Sequence, residues 1–241
     1  MKGSAAAAAL LDALHGGLIV SVQAYAESVL NTPETIALFA RCAIANGAVG
    51  VRIEGVARIA AVRAAVAVPI VGIIKCAYDG FEPYITTTRA EIAAVAEAGA
   101  NIVAFDATER LRFGGASVRD LVDAARAAGL VTMADCAVEA DAAVAIAAGA
   151  DLVATTLAGY TPGSHGRALP ALDLLAWIAR RHPFAICEGG IGDPAAAVAA
   201  FERGAGAVVV GTAITNIDAL VRNFAATAPR ARVGPPELRS T

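Results

Sequence analysis

The run Val68-Pro69-Ile70-Val71-Gly72-Ile73-Ile74-Lys75 is apolar and rich in β-branched residues until it ends on a cation. It reads as a buried parallel strand with an amine at its carboxyl end. Apolar surroundings disfavour a charged ammonium and draw its pKa toward the range in which lysine serves as a base. A lysine that leaves the core and snorkels to water gives the same pattern, so this strand alone leaves both readings open. Other apolar runs end in the same manner, on Gln23, Arg52, Asp106, Asp135, Thr155-Thr156 and Glu188, with Gly211 after the last. An amine, a carboxyl and a guanidinium gathered in one place can move a proton and steady the charge that appears when it leaves. Asp106, in Phe105-Asp106-Ala107-Thr108, is equally read as the cap of its own loop.

Such residues act together only if one fold carries them to one place, and an internal repeat supplies that fold. Asn46-Gly47-Ala48, Ala98-Gly99-Ala100, Ala148-Gly149-Ala150 and Arg203-Gly204-Ala205 each close an alanine-rich helical stretch and lead into a β-like run. Those runs are Val49–Ile53, Ile102–Phe105, Leu152–Thr155 and Ala207–Val210. The glycines recur roughly every 50 residues, which is room for two βα units per interval. Leu18–Ser21, Ile70–Ile74, Val131–Met133 and Phe184–Cys187 fall between them as the alternate strands. Eight strands alternating with helices predict a single parallel (β/α)8 barrel of the TIM type over residues 1–230, with residues 231–241 as a mobile tail. An open doubly wound sheet is the alternative. It is weakened because Ser21-Val22-Gln23-Ala24-Tyr25, not a G-x-G-x-x-G turn, follows the first strand.

In a barrel the carboxyl ends of the strands share one mouth, so the polar ends above become a ring. After strands seven and eight stand Glu188-Gly189-Gly190-Ile191-Gly192 and Val210-Gly211-Thr212-Ala213-Ile214. Barrels commonly hold a phosphate there on loop amides, which makes Gly189, Gly190, Gly211 and Thr212 the candidate phosphate residues. A flavin mononucleotide, a sugar phosphate or a triose phosphate would satisfy these turns equally, and tight turning alone would explain the glycines. The long loop Leu157–Gly166 reads as a cover for the mouth, with Tyr160 facing a ligand and His165 given no chemistry.

Composition fits this picture. The 241 residues match the roughly 250 of such a barrel. With 57% hydrophobic and 17% charged residues, many segments must be buried on more than one side. No apolar run approaches the ~20 residues of a membrane span, so a soluble protein is expected with no membrane partner. The net charge of -3 offers no basic surface for nucleic acid. Cys42, Cys76, Cys136 and Cys187 show no close pairing, which suggests small buried filler in a reducing cytoplasm. Met1-Lys2-Gly3-Ser4 and the alanines after it resemble a short secretory signal, but Asp12 and His15 interrupt it. An opening helix capped by Ser4, stopped by Gly16-Gly17 and covering one end of the barrel, explains the segment better.

Several stretches together resemble the N-acetylmannosamine-6-phosphate 2-epimerase family of bacterial sialic acid catabolism. They are Gly17–Gln23, Gly47–Arg52, Pro69–Lys75, Phe105–Thr108, Met133–Asp135, Thr155–Pro162 and Val208–Thr215, in order and over almost the whole chain. Two positions depart from the family: Val22 stands where members often have cysteine, and Gly190 where they often have arginine. The second departure leaves the backbone amides and Thr212 with more of the phosphate contact. The resemblance implies interconversion of N-acetylmannosamine 6-phosphate and N-acetylglucosamine 6-phosphate, with Lys75 as base and Glu188 as the acid that returns the proton. It further implies that Gln23, Arg52 and Asp135 bind the opened sugar, that neither metal nor cofactor is needed, and that the chain forms a homodimer. A Schiff-base aldolase or lyase, a flavin barrel and a non-catalytic sugar-phosphate sensor are the rival expectations.

Overall fold

The computed structural model describes residues 2–228. The predicted mobile tail, residues 231–241, lies outside the described residues. Helix α1 (Lys2–Leu14) precedes β1 (Gly17–Val22), and seven βα steps follow. They are α2 (Pro33–Ala45), β2 (Gly50–Glu54), α3 (Val56–Ala65), β3 (Ile70–Ile73), α4 (Arg89–Glu97), β4 (Ile102–Asp106), α5 (Val118–Ala127), β5 (Val131–Asp135), α6 (Glu139–Ala148), β6 (Leu152–Ala154), α7 (Leu172–Ala179), β7 (Ala185–Glu188), α8 (Pro194–Glu202) and β8 (Ala207–Val210). The short α9 (Thr212–Thr215) and α10 (Ile217–Ala226) complete the described chain. The strands pair in parallel in chain order, and β8 returns to β1 to close the barrel. The (β/α)8 expectation is therefore met, and the open sheet is excluded.

The strand pleat sorts side chains into two cores, because successive residues point to opposite faces. Ile19, Val71, Ile73, Ile102, Ala104, Met133, Ala154, Ile186 and Val209 fill the barrel interior. Val20, Val51, Val103, Ala134, Val153, Cys187 and Val208 face outward against the helices. Gly72 belongs to the outward set: a Cβ there would lie 2.6 Å from Val95 Cγ1 and 2.9 Å from Ala100 Cβ, so only glycine lets the helices lie this close to β3. Leu14 of α1 is buried in the interior cluster, with Ala7, Leu10 and Leu11 packed against it, so the opening helix plugs the amino end of the barrel. That helix starts at Lys2, which places Ser4 inside it rather than at its cap as the sequence suggested. Cys136 and Cys187 are buried filler, whereas Cys42 is exposed.

Several helices begin where side chains can answer their free amides. Thr88 and Glu91 form a reciprocal capping box on α4, Ser117 and Asp120 another on α5, and Asp193 caps α8 ahead of Pro194. At their other ends the repeated glycines close the helices, as the repeat predicted, by taking positive φ, with Gly149 at φ 78° ending α6. Among the described residues no helix is long and apolar enough to cross a membrane.

Candidate active site

The inward alternation of β2 brings Arg52, the middle residue of the strand, over Met133 inside the barrel, where the arginine is 1% exposed. A guanidinium cannot stay there alone, and two carboxylates answer it. Nη1 donates to Asp135 Oδ1 at 3.1 Å and Nη2 to Asp135 Oδ2 at 2.6 Å, a forked pair, while Nη1 also donates to Glu188 Oε2 at 2.8 Å. Burial alone would lower the arginine pKa, but Asp135 and Glu188 outweigh it and the net direction is upward. Arg52 is thus a fixed positive charge.

Thr155 and Thr156, at the end of β6, hold the carboxyl of β7 in place. Thr155 Oγ1 donates to the Glu188 carbonyl at 2.9 Å and accepts from its amide at 3.1 Å. Thr156 Oγ1 reaches both Glu188 Oε2 at 3.0 Å and Asp135 Oδ1 at 2.8 Å. Burial drives the Glu188 pKa up to about 7, with the Asp135 charge adding to the rise; Arg52, Thr156 and Lys75 oppose it. At neutral pH this carboxyl can therefore carry or release a proton.

Lys75 lies two residues beyond the last residue of β3 rather than on the strand, in an isolated antiparallel bridge with Ile85. Its side chain is exposed to the mouth, so of the two readings left open the lysine is the one that leaves the core, and it does so into the cavity. Nζ donates to Gln23 Oε1 at 2.6 Å, and Gln23 Nε2 donates to Ser21 Oγ at 2.6 Å. The walls around the amine lower its pKa by partial desolvation, and the Arg52 charge lowers it further. Glu54, Glu188 and Asp135 pull the other way without reversing the direction.

One open cavity of about 640 Å³ collects these groups, a volume suited to a small ligand. Gln23, Arg52, Lys75, Tyr160, Glu188, Gly189, Gly190, Gly211 and Thr212 all line it. Asp135 does not; it is fully buried behind Arg52 with both oxygens engaged. Asp106 also stays away from this wall, accepting from Thr108 and Arg110 in the capping role that its motif allowed. His165 is exposed and outside the cavity, while Ser164 pins the same loop by accepting from the Gly159 amide at 3.0 Å. Gly190 has φ 74°, and a Cβ built there would run into the Leu169 Cβ, so no arginine fits this backbone. Arg52 and Lys75 are the only lysine or arginine residues in the described cavity wall.

Sequence reasoning did not single out Tyr25, Tyr84, Asn216 and Asn223, which also line the cavity. Tyr84 arrives on the hairpin after β3, and the asparagines flank or sit on α10; neither position carries a periodic signal. Thr156 was visible as a strand end, but its bridging of two carboxylates was not.

Fold and mouth together define a class: a (β/α)8 barrel of the enzyme type, with an amine and a carboxyl of shifted proton affinity at the carboxyl ends of its strands. The family profile NanE, "Putative N-acetylmannosamine-6-phosphate epimerase", matches residues 36–229. The chain belongs to this family. A Synechococcus elongatus protein named "Putative N-acetylmannosamine-6-phosphate 2-epimerase" is 45% identical over 89% of this chain and 94% of its own length. A Caldanaerobacter subterraneus protein of the same name is 39% identical over 89% of this chain and 92% of its own length. The solved N-acetylmannosamine-6-phosphate 2-epimerase from Clostridium perfringens superposes with a TM-score of 0.87 at 36% identity, covering 91% of this chain and 96% of that one. Nitroalkane oxidase from Streptomyces ansochromogenes, at 18% identity and a TM-score of 0.61, shares the fold alone.

Proposed function

We propose that this chain interconverts N-acetylmannosamine 6-phosphate and N-acetylglucosamine 6-phosphate by exchanging the proton at C2. The observation that carries the reading is the placement of Lys75 and Glu188 on the wall of one cavity, with Arg52 between Glu188 and Asp135. The two sugars differ only in configuration at C2, and the open-chain aldehyde makes that carbon acidic. Lys75 Nζ takes the proton, the electron pair moves onto the C1 oxygen as an enolate, and the protonated Glu188 returns a proton from the other face. Arg52, whose charge does not titrate, steadies the enolate, and Asp135 holds Arg52 in position. Gln23 and Tyr160 contact the sugar. Its phosphate rests on the amides of Gly189, Gly190 and Gly211 and on Thr212, a site that relies on dipoles where Gly190 replaces the family's arginine.

Proton NMR of N-acetylmannosamine 6-phosphate with the protein in heavy water tests the reading directly. Deuterium should appear at C2 as the second epimer accumulates. Borohydride trapping of a lysine adduct without exchange would instead identify a Schiff-base enzyme.

The two shifted groups also predict a pH profile. Turnover needs Lys75 neutral and Glu188 protonated, a form with the same total protonation as the ion pair. The rate should therefore rise through about 7, where Glu188 titrates, and fall at higher pH through the lowered lysine pKa. Glu188→Gln should be slower by ~10²-fold and lose the falling limb, because only the neutral amine is then required. An unaltered bell in that variant would remove Glu188 from the mechanism.

A homodimer in the cytoplasm belongs to the same reading. Ile217, Val221 and Phe224 of α10 share one helix face at 41%, 61% and 77% exposure, an apolar stripe suited to a second copy. Light scattering should give twice the chain mass of 24.1 kDa, and a monomer across the micromolar range would refute it.

A further inference from the structure

Thr86 is the only non-glycine residue at positive φ among the described residues, at 45°, and it is fully buried. A β-branched side chain in this region is strained, and glycine would adopt the conformation freely. The hydrogen bonds explain why threonine stands there. Thr86 N donates to the Ile74 carbonyl at 2.8 Å, and Thr86 Oγ1 accepts from the Ile74 amide at 3.1 Å. Both polar groups of the residue before Lys75 are thus taken up by one side chain and its own amide, just where the β3 ladder has ended.

The surroundings keep Thr86 from relaxing. Ile85, paired to Lys75 in the antiparallel bridge, accepts from the Asp106 amide at 2.9 Å, and Cys76 N donates to the Tyr84 carbonyl at 2.9 Å. On the other side, Glu91 Oε2 accepts from the amides of Thr87 at 2.6 Å and Thr88 at 2.9 Å. Glu91 Oε1 accepts from the Tyr78 hydroxyl at 3.0 Å, and the Tyr78 ring stacks on Phe113 with centroids 4.1 Å apart. The hairpin carrying Lys75 is therefore anchored at its turn and at both stems.

We propose that Thr86 is a positioning residue for Lys75, clamping Ile74 from both sides so that the amine projects into the mouth at a fixed place. This rests on the reading of Lys75 as the base. A hydroxyl is essential to the clamp and the γ-methyl is not. Without the hydroxyl the Ile74 amide has no partner, the chain at Lys75 shifts, and a shift of about 1 Å is enough to slow proton transfer ~10²-fold.

The test is steady-state kinetics of Thr86→Val, Thr86→Gly and Thr86→Ser at a temperature where circular dichroism shows each folded. Thr86→Val should lose ~10 to 100-fold in kcat with KM within about threefold of wild type. Thr86→Gly, which relieves the backbone but lacks the hydroxyl, should fold at least as well and be equally slow. Thr86→Ser should regain turnover to within about threefold of wild type. Loss of folding in Val alone leaves the Gly–Ser comparison to decide. Near-wild-type kcat in Val or Gly, a serine variant as slow as valine, a rise in KM alone, or loss of folding in both Val and Gly would each overturn the proposal. Absence of epimerisation in the wild-type protein would refute the functional reading instead, before any variant is compared.

Discussion

Lys75→Met should fold like the wild-type protein, keep much of its affinity for the sugar phosphate, and lose at least ~10³-fold in turnover. Methionine preserves the length and flexibility of the side chain but cannot accept a proton. Folding should survive because the amine is exposed to the mouth and, among the described residues, its side-chain partner is Gln23, whose freed oxygen can turn to water. Affinity should survive because Arg52 and the turns proposed to hold the phosphate are untouched. Exchange of the C2 proton in heavy water and the thermal midpoint by circular dichroism read the two parts separately. A variant retaining turnover within about tenfold of wild type would remove Lys75 from the proton transfer.

Asp135→Ala should be the most destabilising change at the site, costing on the order of 3–5 kcal/mol, because Arg52 keeps its charge and loses its forked partner inside the barrel. For a chain of this length the thermal midpoint should fall by on the order of 10 °C. The kinetic signature is distinct from the loss of stability. Asp135 helps to hold the Glu188 pKa up, so its removal should move the rising limb of the pH profile to lower pH. Asp135→Asn, which still offers one acceptor to the guanidinium, should fall between. An alanine variant as stable as wild type would mean that Glu188 alone satisfies Arg52.

The contrast between Lys75 and Asp135 shows what could be read from the sequence. The eight strands were legible to within one or two residues because parallel strands buried on both faces are continuous apolar runs, and β8 at Ala207–Val210 is the plainest of them. The polar ends were legible for the same reason, since each interrupts such a run. What each end touches was not, because partners such as Arg52 and Asp135 are far apart in the chain and meet only across a closed barrel. Asp135 read as a sugar ligand and stands behind the arginine; Asp106 had the same local pattern and caps its own loop. Lys75 was expected on β3, but Ile73 ends the ladder and the hairpin that returns through Ile85 carries the amine instead. Tyr84 entered the cavity by that route with no signal in composition or spacing.

Gly190 sets a condition on how this lineage can change. Its φ of 74° and the Leu169 Cβ in its way mean that an arginine cannot be introduced by one substitution while its neighbours stay put. Leu169 would have to be trimmed to glycine, or its loop redrawn, before a basic side chain could be accommodated. The two positions are therefore coupled: arginine at position 190 should be poorly tolerated alone and better tolerated once position 169 is altered as well.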